Sequence, residues 1–133
     1  METTETKLLK ELAVKAIEEL KHMPQPVVRV CGPMTTGGRG YEENVRMFEK
    51  AVAELRQGGY TVFDFAPYEP ELLQIKASHS AIMEDFHKPI LQSGYITTAF
   101  FLPAWNESKG ATWEREYIEA NTKMDIQEFT PTE

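Results

Sequence analysis

The sequence predicts an α/β fold: a small doubly wound (flavodoxin/Rossmann-like) parallel sheet of four to five strands with an extra N-terminal helix. Three observations lead there. Short runs of β-branched and aromatic residues alternate with amphipathic segments long enough to cross over a sheet. Breakers such as Met23-Pro24-Gln25-Pro26 and Gly58-Gly59 separate those segments. The chain has 133 residues, 41% hydrophobic and 26% charged, the size and balance of one globular domain that needs no disulfide or metal to support its core.

In chain order, Leu9, Leu12, Ala13, Ala16, Ile17 and Leu20 recur at helical spacing between Thr4 and Lys21, with Lys and Glu on the other face, so this stretch is an amphipathic helix. Residues 1–22 are therefore set apart from an α/β domain at 23–133. Val27 to Cys31 is too short and too β-branched for a helix and reads as a buried strand. Gly32 to Gly40, with four glycines, is a loop. Tyr41 to Gln57 carries Val45, Phe48, Val52 and Leu55 on one stripe and is stopped by Gly58-Gly59. A second strand is expected over Tyr60–Phe65, then a proline-bounded turn at 66–70. Helix in two pieces follows over Glu71–Ser93, with Pro89 starting or kinking the second. Tyr95–Leu102 reads as a strand, 103–110 as a loop, Ala111–Lys123 as a helix and Asp125–Phe129 as a last short strand.

Charge narrows the function classes. Twenty-one acidic residues against fourteen basic ones give a net charge of -7, which repels nucleic-acid backbones, so no nucleic acid polymer is an expected partner. No stretch approaches the ~18 apolar residues of a membrane span, so no membrane association is expected either. The single cysteine, Cys31, excludes a disulfide framework or a Cys-based zinc site within one chain and points to a reducing, cytoplasmic setting.

In a doubly wound sheet, ligands bind beyond the carboxyl ends of the strands, which directs attention to the loops 32–40, 66–70 and 103–110. The first could receive an anion such as phosphate on its backbone N–H groups and Arg39, or it could be a tight connection with Arg39 paired to Glu42 or Glu43. It lacks the Gly-Lys-Ser/Thr of a Walker loop and the G-x-G-x-x-G of dinucleotide folds. Behind the third loop, Ala111, Glu114 and Ile118 lie at i, i+3 and i+7, so Glu114 shares a line with two apolar residues. It is either a part-buried nucleophile or proton carrier, or an acid at a polar margin. His22, His79 and His87 lack a convincing metal-ligand partner, so neither a metal nor another cofactor is expected. Cys31 reads as a packed apolar residue. Trp113 and Tyr117 pair at i, i+4, and Asp64 and Asp85 read as caps or surface groups.

Two motifs together carry a family resemblance. Cys31-Gly32-Pro33-Met34 with Gly37-Gly38-Arg39, followed by Leu102-Pro103-Ala104-Trp105-Asn106-Glu107-Ser108-Lys109-Gly110-Ala111-x-x-Glu114, resemble the nucleoside 2-deoxyribosyltransferase-like superfamily over about residues 27–129. That group includes deoxyribosyltransferases and 2′-deoxynucleoside 5′-phosphate N-hydrolases. The resemblance implies that Glu114 attacks the anomeric carbon of a sugar to give a covalent glycosyl-enzyme. It implies that Ser108 orients the substrate, that Asp85 is the loose counterpart of an assisting helical Asp, and that Thr97 and Thr98 stand where an Asp is common. It further implies a substrate site at Gly32, Pro33, Met34, Gly37, Gly38, Arg39, Trp105 and Gly110, with the glycine-rich loop taking a 5′-phosphate, and a homodimer or larger homo-oligomer. The function expected is cleavage of the N-glycosidic bond of a (deoxy)nucleoside or nucleoside 5′-monophosphate. The alternatives are a catalytically inactive nucleotide-binding or sensing module and, more plainly, an accessory protein that associates through its first helix.

Overall fold

A computed structural model describes residues 2–132. Its sheet has four parallel strands, β1 (Val27–Cys31), β2 (Thr61–Phe63), β3 (Ile96–Phe101) and β4 (Asp125–Glu128), in the order β2-β1-β3-β4. The chain leaves β1 toward β2 on one side, then returns past β1 to β3 and on to β4. The switch in direction lies between β1 and β3, and right-handed crossovers then put helices on both faces, as a doubly wound sheet requires.

The first three long elements follow from local chemistry. Helix α1 (Thr4–Lys21) is capped by Thr3, whose hydroxyl accepts the Thr6 N–H, and its stripe Leu9, Leu12, Ala13, Ala16 and Leu20 is buried. That stripe packs into the same hydrophobic core as the sheet, against the helices before β3, so the N-terminal helix is covered by its own chain. β1 occupies a central position and is buried at all five residues, Arg29 included. Helix α2 (Tyr41–Gln57) starts after Gly40 at φ 98° and ends before Gly59 at φ 96°, two backbone settings that favour glycine.

The remaining elements differ from the expected bounds for identifiable reasons. β2 stops at Phe63 because the Asp64 carboxylate accepts the Ala66 N–H and turns the chain into a 3₁₀ turn at Ala66–Tyr68. Helix α3 (Glu69–Ile75) continues from it, two residues earlier than Glu71, and ends at Lys76 in the left-handed region, φ 57°. After Ser78, whose hydroxyl caps the Ala81 N–H, α4 (His79–Ile82), a π-helical segment (Met83–His87) and α5 (Lys88–Gln92) form one run. Pro89 stands at the start of α5, as expected, without breaking that run. It sits in the first turn after the wide π register, where its missing N–H is tolerated. Helix α6 (Lys109–Asn121) begins two residues before Ala111, because Ser108 caps it by accepting the Ala111 N–H. The preceding loop holds a 3₁₀ turn at Trp105–Glu107.

Alternation along β1 assigns the two layers. Arg29 and Cys31 reach His87 and Glu114, the face covered by α3 to α6, while α2 covers the other face along β1 and β2. A second apolar cluster, Cys31, Leu91, Ala99, Phe101, Ala111 and Ile118, seats α6 on the sheet. Among the described residues no helix is long and apolar enough to cross a membrane.

Candidate active site

The middle of β1 brings a cation into the core. Arg29 is 0% exposed, and its Nη2 lies 2.8 Å from Oε2 of Glu114 and 2.7 Å from Nδ1 of His87. Its guanidinium also lies over the Phe65 ring at 5.1 Å. A buried guanidinium needs an anion, and Glu114, itself 6% exposed, supplies it. The apolar line Ala111, Glu114, Ile118 explains how the acid gets there, since all three face the sheet and all are buried.

Glu114 is held at one oxygen. Oε2 accepts from Arg29 and from the Cys31 thiol at 3.3 Å, whereas Oε1 has no partner among the described residues. Burial, and then the neighbouring Glu114 charge, push the Cys31 thiol well above its ordinary value, so it stays protonated as a donor. His87 must accept at Nδ1, because arginine only donates, which leaves the ring neutral with its proton on Nε2. Burial, followed by the Arg29 charge, agrees by holding His87 well below the usual imidazole range. The rings of Phe65 and Phe86 meet the imidazole edge-on. The assembly is not fully satisfied: Arg29 Nε and Nη1 are buried without hydrogen-bond partners.

A cavity of about 270 Å³ opens beside this cluster. Its wall includes Gly32, Met34, Thr36, Phe65, Glu69, His79, Met83, His87, Ser108, Gly110 and Glu114. Two loops, the π segment and the start of α6 build it. The loop after β1 is tied to α6 by Thr36, whose hydroxyl accepts the Lys109 N–H at 3.0 Å. The turn after β2 contributes Phe65 and Glu69, and the π segment turns Met83 and His87 to the same wall. The volume lies just below the usual span of ligand pockets, about 300–1,000 Å³.

Five of the residues expected in the site meet here: Gly32, Met34, Ser108, Gly110 and Glu114. The others lie elsewhere. Asp85, expected to assist Glu114, is absent from the cavity wall. It sits half-buried on the π segment with Lys10 of α1 as a charged neighbour, while His87, two residues on, takes the place beside Glu114. Pro33, Gly38 and Arg39 line a separate groove of about 490 Å³ with Asn44 and Pro103. The glycine loop's anion function is answered internally, since the Gly38 N–H donates to the Glu107 carboxylate at 3.2 Å. Gly37 at φ 73° lies so close to Glu107 that a Cβ would meet its backbone at 2.5 Å. Trp105 faces away from the cavity, stacked under the Arg115 guanidinium at 4.5 Å.

Asn44 is a residue that sequence reasoning missed. Its amide donates to the Met34 and Gly37 carbonyls and its carbonyl accepts the Arg39 N–H, so one buried side chain fixes the glycine-rich loop. Its position three residues into α2 and four past Gly40 is the only signal for this role, and an asparagine there also reads as a surface residue. Among the described residues no group of three or more His, Cys, Asp or Glu side chains is arranged to hold a metal ion.

Neither the curated proteins nor the solved structures contain a match to the chain. One family model matches residues 26–127, from just before β1 into β4, and so spans the sheet, the cavity and the Arg29–Glu114 pair but not α1. The chain belongs to the family described as Domain of unknown function (DUF4406).

Proposed function

We propose that the protein is an N-glycosidase or deoxyribosyltransferase-like enzyme that cleaves the N-glycosidic bond of a (deoxy)nucleoside or nucleoside 5′-monophosphate through a covalent glycosyl-Glu114 intermediate. One observation carries this reading: Glu114 lines a cavity at the carboxyl ends of β1 and β3 with Oε2 anchored and Oε1 unengaged. The motif likeness to the nucleoside 2-deoxyribosyltransferase-like superfamily, centred on the same glutamate, supports it.

The anchoring suits a nucleophile that must also leave. With Oε2 fixed by two donors, the carboxylate's rotamer is set and Oε1 is presented in one direction. In the first half-reaction Oε1 forms a bond to C1′ as the C1′–N bond breaks, and the electron pair passes to the base nitrogen, which takes a proton. In the second, water or an acceptor base attacks C1′ and the electron pair of the C1′–Oε1 bond returns to Glu114. Arg29, left without its anion in the glycosyl-enzyme, favours this return. Ser108, buried at the cavity wall, orients the sugar with its hydroxyl. A 5′-monophosphate would have to displace Glu107 from the Gly38 N–H to use the glycine-rich loop. A cytoplasmic setting and a homo-oligomer belong to this reading.

A second reading, a nucleotide-binding or sensing module without turnover, is favoured by the same ion pair, since Arg29 draws electron density from the carboxylate. Incubation with a panel of nucleosides and 5′-monophosphates, followed by chromatography for free base, separates the two. Base release that is lost in Glu114→Ala supports the enzyme. Release undiminished in that variant overturns the nucleophile, and calorimetric binding with no release supports the module.

A further inference from the structure

The cavity holds a second carboxyl group, and the proposed reaction needs a proton donor for the departing base. We infer that Glu69 is the general acid of this site, giving its proton to the base nitrogen as Glu114 attacks C1′. The inference rests on the reading of Glu114 above.

The titratable side chains on the cavity wall are Glu69, His79, His87 and Glu114. Glu114 is ion-paired with Arg29 and is spent as the nucleophile of the same step. His87 is neutral with Nδ1 occupied by Arg29, so loss of its Nε2 proton would leave an imidazolate. His79 is exposed at the rim, its ring near the start of α6, where a Cβ on Gly110 would meet Cε1 at 3.8 Å. Glu69 is half-buried at the first residue of α3 and lines the same cavity as Glu114, and its carboxyl makes no hydrogen bond or ion pair with any described residue.

Two carboxyls in one cavity with opposite surroundings divide the work of acid and nucleophile. Glu114 has a cation and a thiol donating to it, whereas Glu69 has neither, and burial raises its carboxyl above the usual range. In the first half-reaction the Glu69 O–H bond breaks and its proton joins the base nitrogen that receives the C1′–N electron pair. In the second, the Glu69 carboxylate takes a proton from the water that attacks C1′, and the C1′–Oε1 pair returns to Glu114. The sum is nucleoside plus water giving sugar plus base, with Glu69 protonated again.

N7-methylated purine nucleosides test this, because their base leaves neutral without protonation. Release of base is compared for guanosine and 2′-deoxyguanosine and for their N7-methyl forms, after subtraction of uncatalysed release, in the wild type, Glu69→Gln, Glu69→Asp and His79→Gln. General acid catalysis contributes about 10²–10⁴-fold. In Glu69→Gln the ratio of N7-methyl to parent rate is expected to rise about 100-fold or more, Glu69→Asp to restore part of the parent rate, and the alkaline limb of the parent's kcat/KM profile to disappear. Equal loss on both substrates in Glu69→Gln, or a rise of the ratio in His79→Gln instead, overturns the assignment of Glu69 and leaves Glu114 standing. No release from any of the four substrates by the wild type overturns both.

Discussion

Removing Arg29 exposes what the site does to the fold. Arg29→Met leaves the buried Glu114 carboxylate without its cation, and Glu114→Met leaves the guanidinium without its anion. An uncompensated buried charge destabilises a protein by about 3–5 kcal/mol. At about 2.1 cal/mol/K per residue, a 133-residue domain unfolds with an entropy of roughly 0.28 kcal/mol/K, so each single change lowers Tm by about 11–18 °C. The double variant Arg29→Met/Glu114→Met removes both charges together with the unpartnered Nε and Nη1. It also strips one hydrogen bond each from His87 Nδ1 and the Cys31 thiol, about 1 kcal/mol apiece, while apolar side chains fill the space. Its stability is expected within about 2 kcal/mol of the wild type, well above either single variant. Calorimetric or denaturant unfolding of the four proteins measures this cycle. A double variant that loses as much as the two singles combined refutes the reasoning, because the two charges would then be uncoupled and neither single loss would come from a partner left unpaired.

Other outcomes follow from the same geometry. Unfolded His87 binds a proton below about pH 6.5, whereas folded His87, held well below that value, does not. The unfolded state then carries more protons, so stability falls as pH drops from about 6.5 toward the depressed folded value, by up to about 1.4 kcal/mol per pH unit. Denaturant titrations across that window check it, and His87→Asn, which keeps an acceptor for Arg29, should lose this share of the slope; an unchanged slope contradicts it. Asn44→Ala removes three hydrogen bonds from the loop after β1, so a loss of about 2–4 kcal/mol and faster amide exchange at Gly38 and Arg39 are expected. Exchange as slow as in the wild type would show that the loop is held by something else. Cys31, 1% exposed with a raised thiol, should react with aromatic disulfide reagents only after unfolding, and rapid labelling of the native protein would contradict that burial.

Much of this arrangement is readable from local pattern. α1, β1 and α2 have the bounds expected of them because an unbroken apolar stripe, a run of valines and the stop at Gly58-Gly59 are short-range signals. Glu114 is also legible, since its line with Ala111 and Ile118 depends only on helical spacing. Arg29 is not. One charge among valines says nothing of where it finds an anion, and Cys31 beside it meets the same carboxylate 83 positions away. His87 escapes for a different reason: the resemblance implies Asp85, and the π segment that turns His87 to the cavity wall leaves no mark in the apolar spacing. Glu69 lies in a stretch whose prolines predict a turn, where no periodicity marks a carboxyl that a fold will half-bury.

A covalent bond between Glu114 and the sugar is the most direct consequence of the proposed reaction. A 2′-fluoro-arabinosyl nucleoside slows release of a glycosyl-enzyme, so intact-protein and peptide mass spectrometry after incubation reads the bond directly. The mass of one fluorosugar on the peptide that contains Glu114, absent in Glu114→Ala, is the predicted result. Base released from the same compound with no sugar on Glu114, or with the sugar on another residue, contradicts the account.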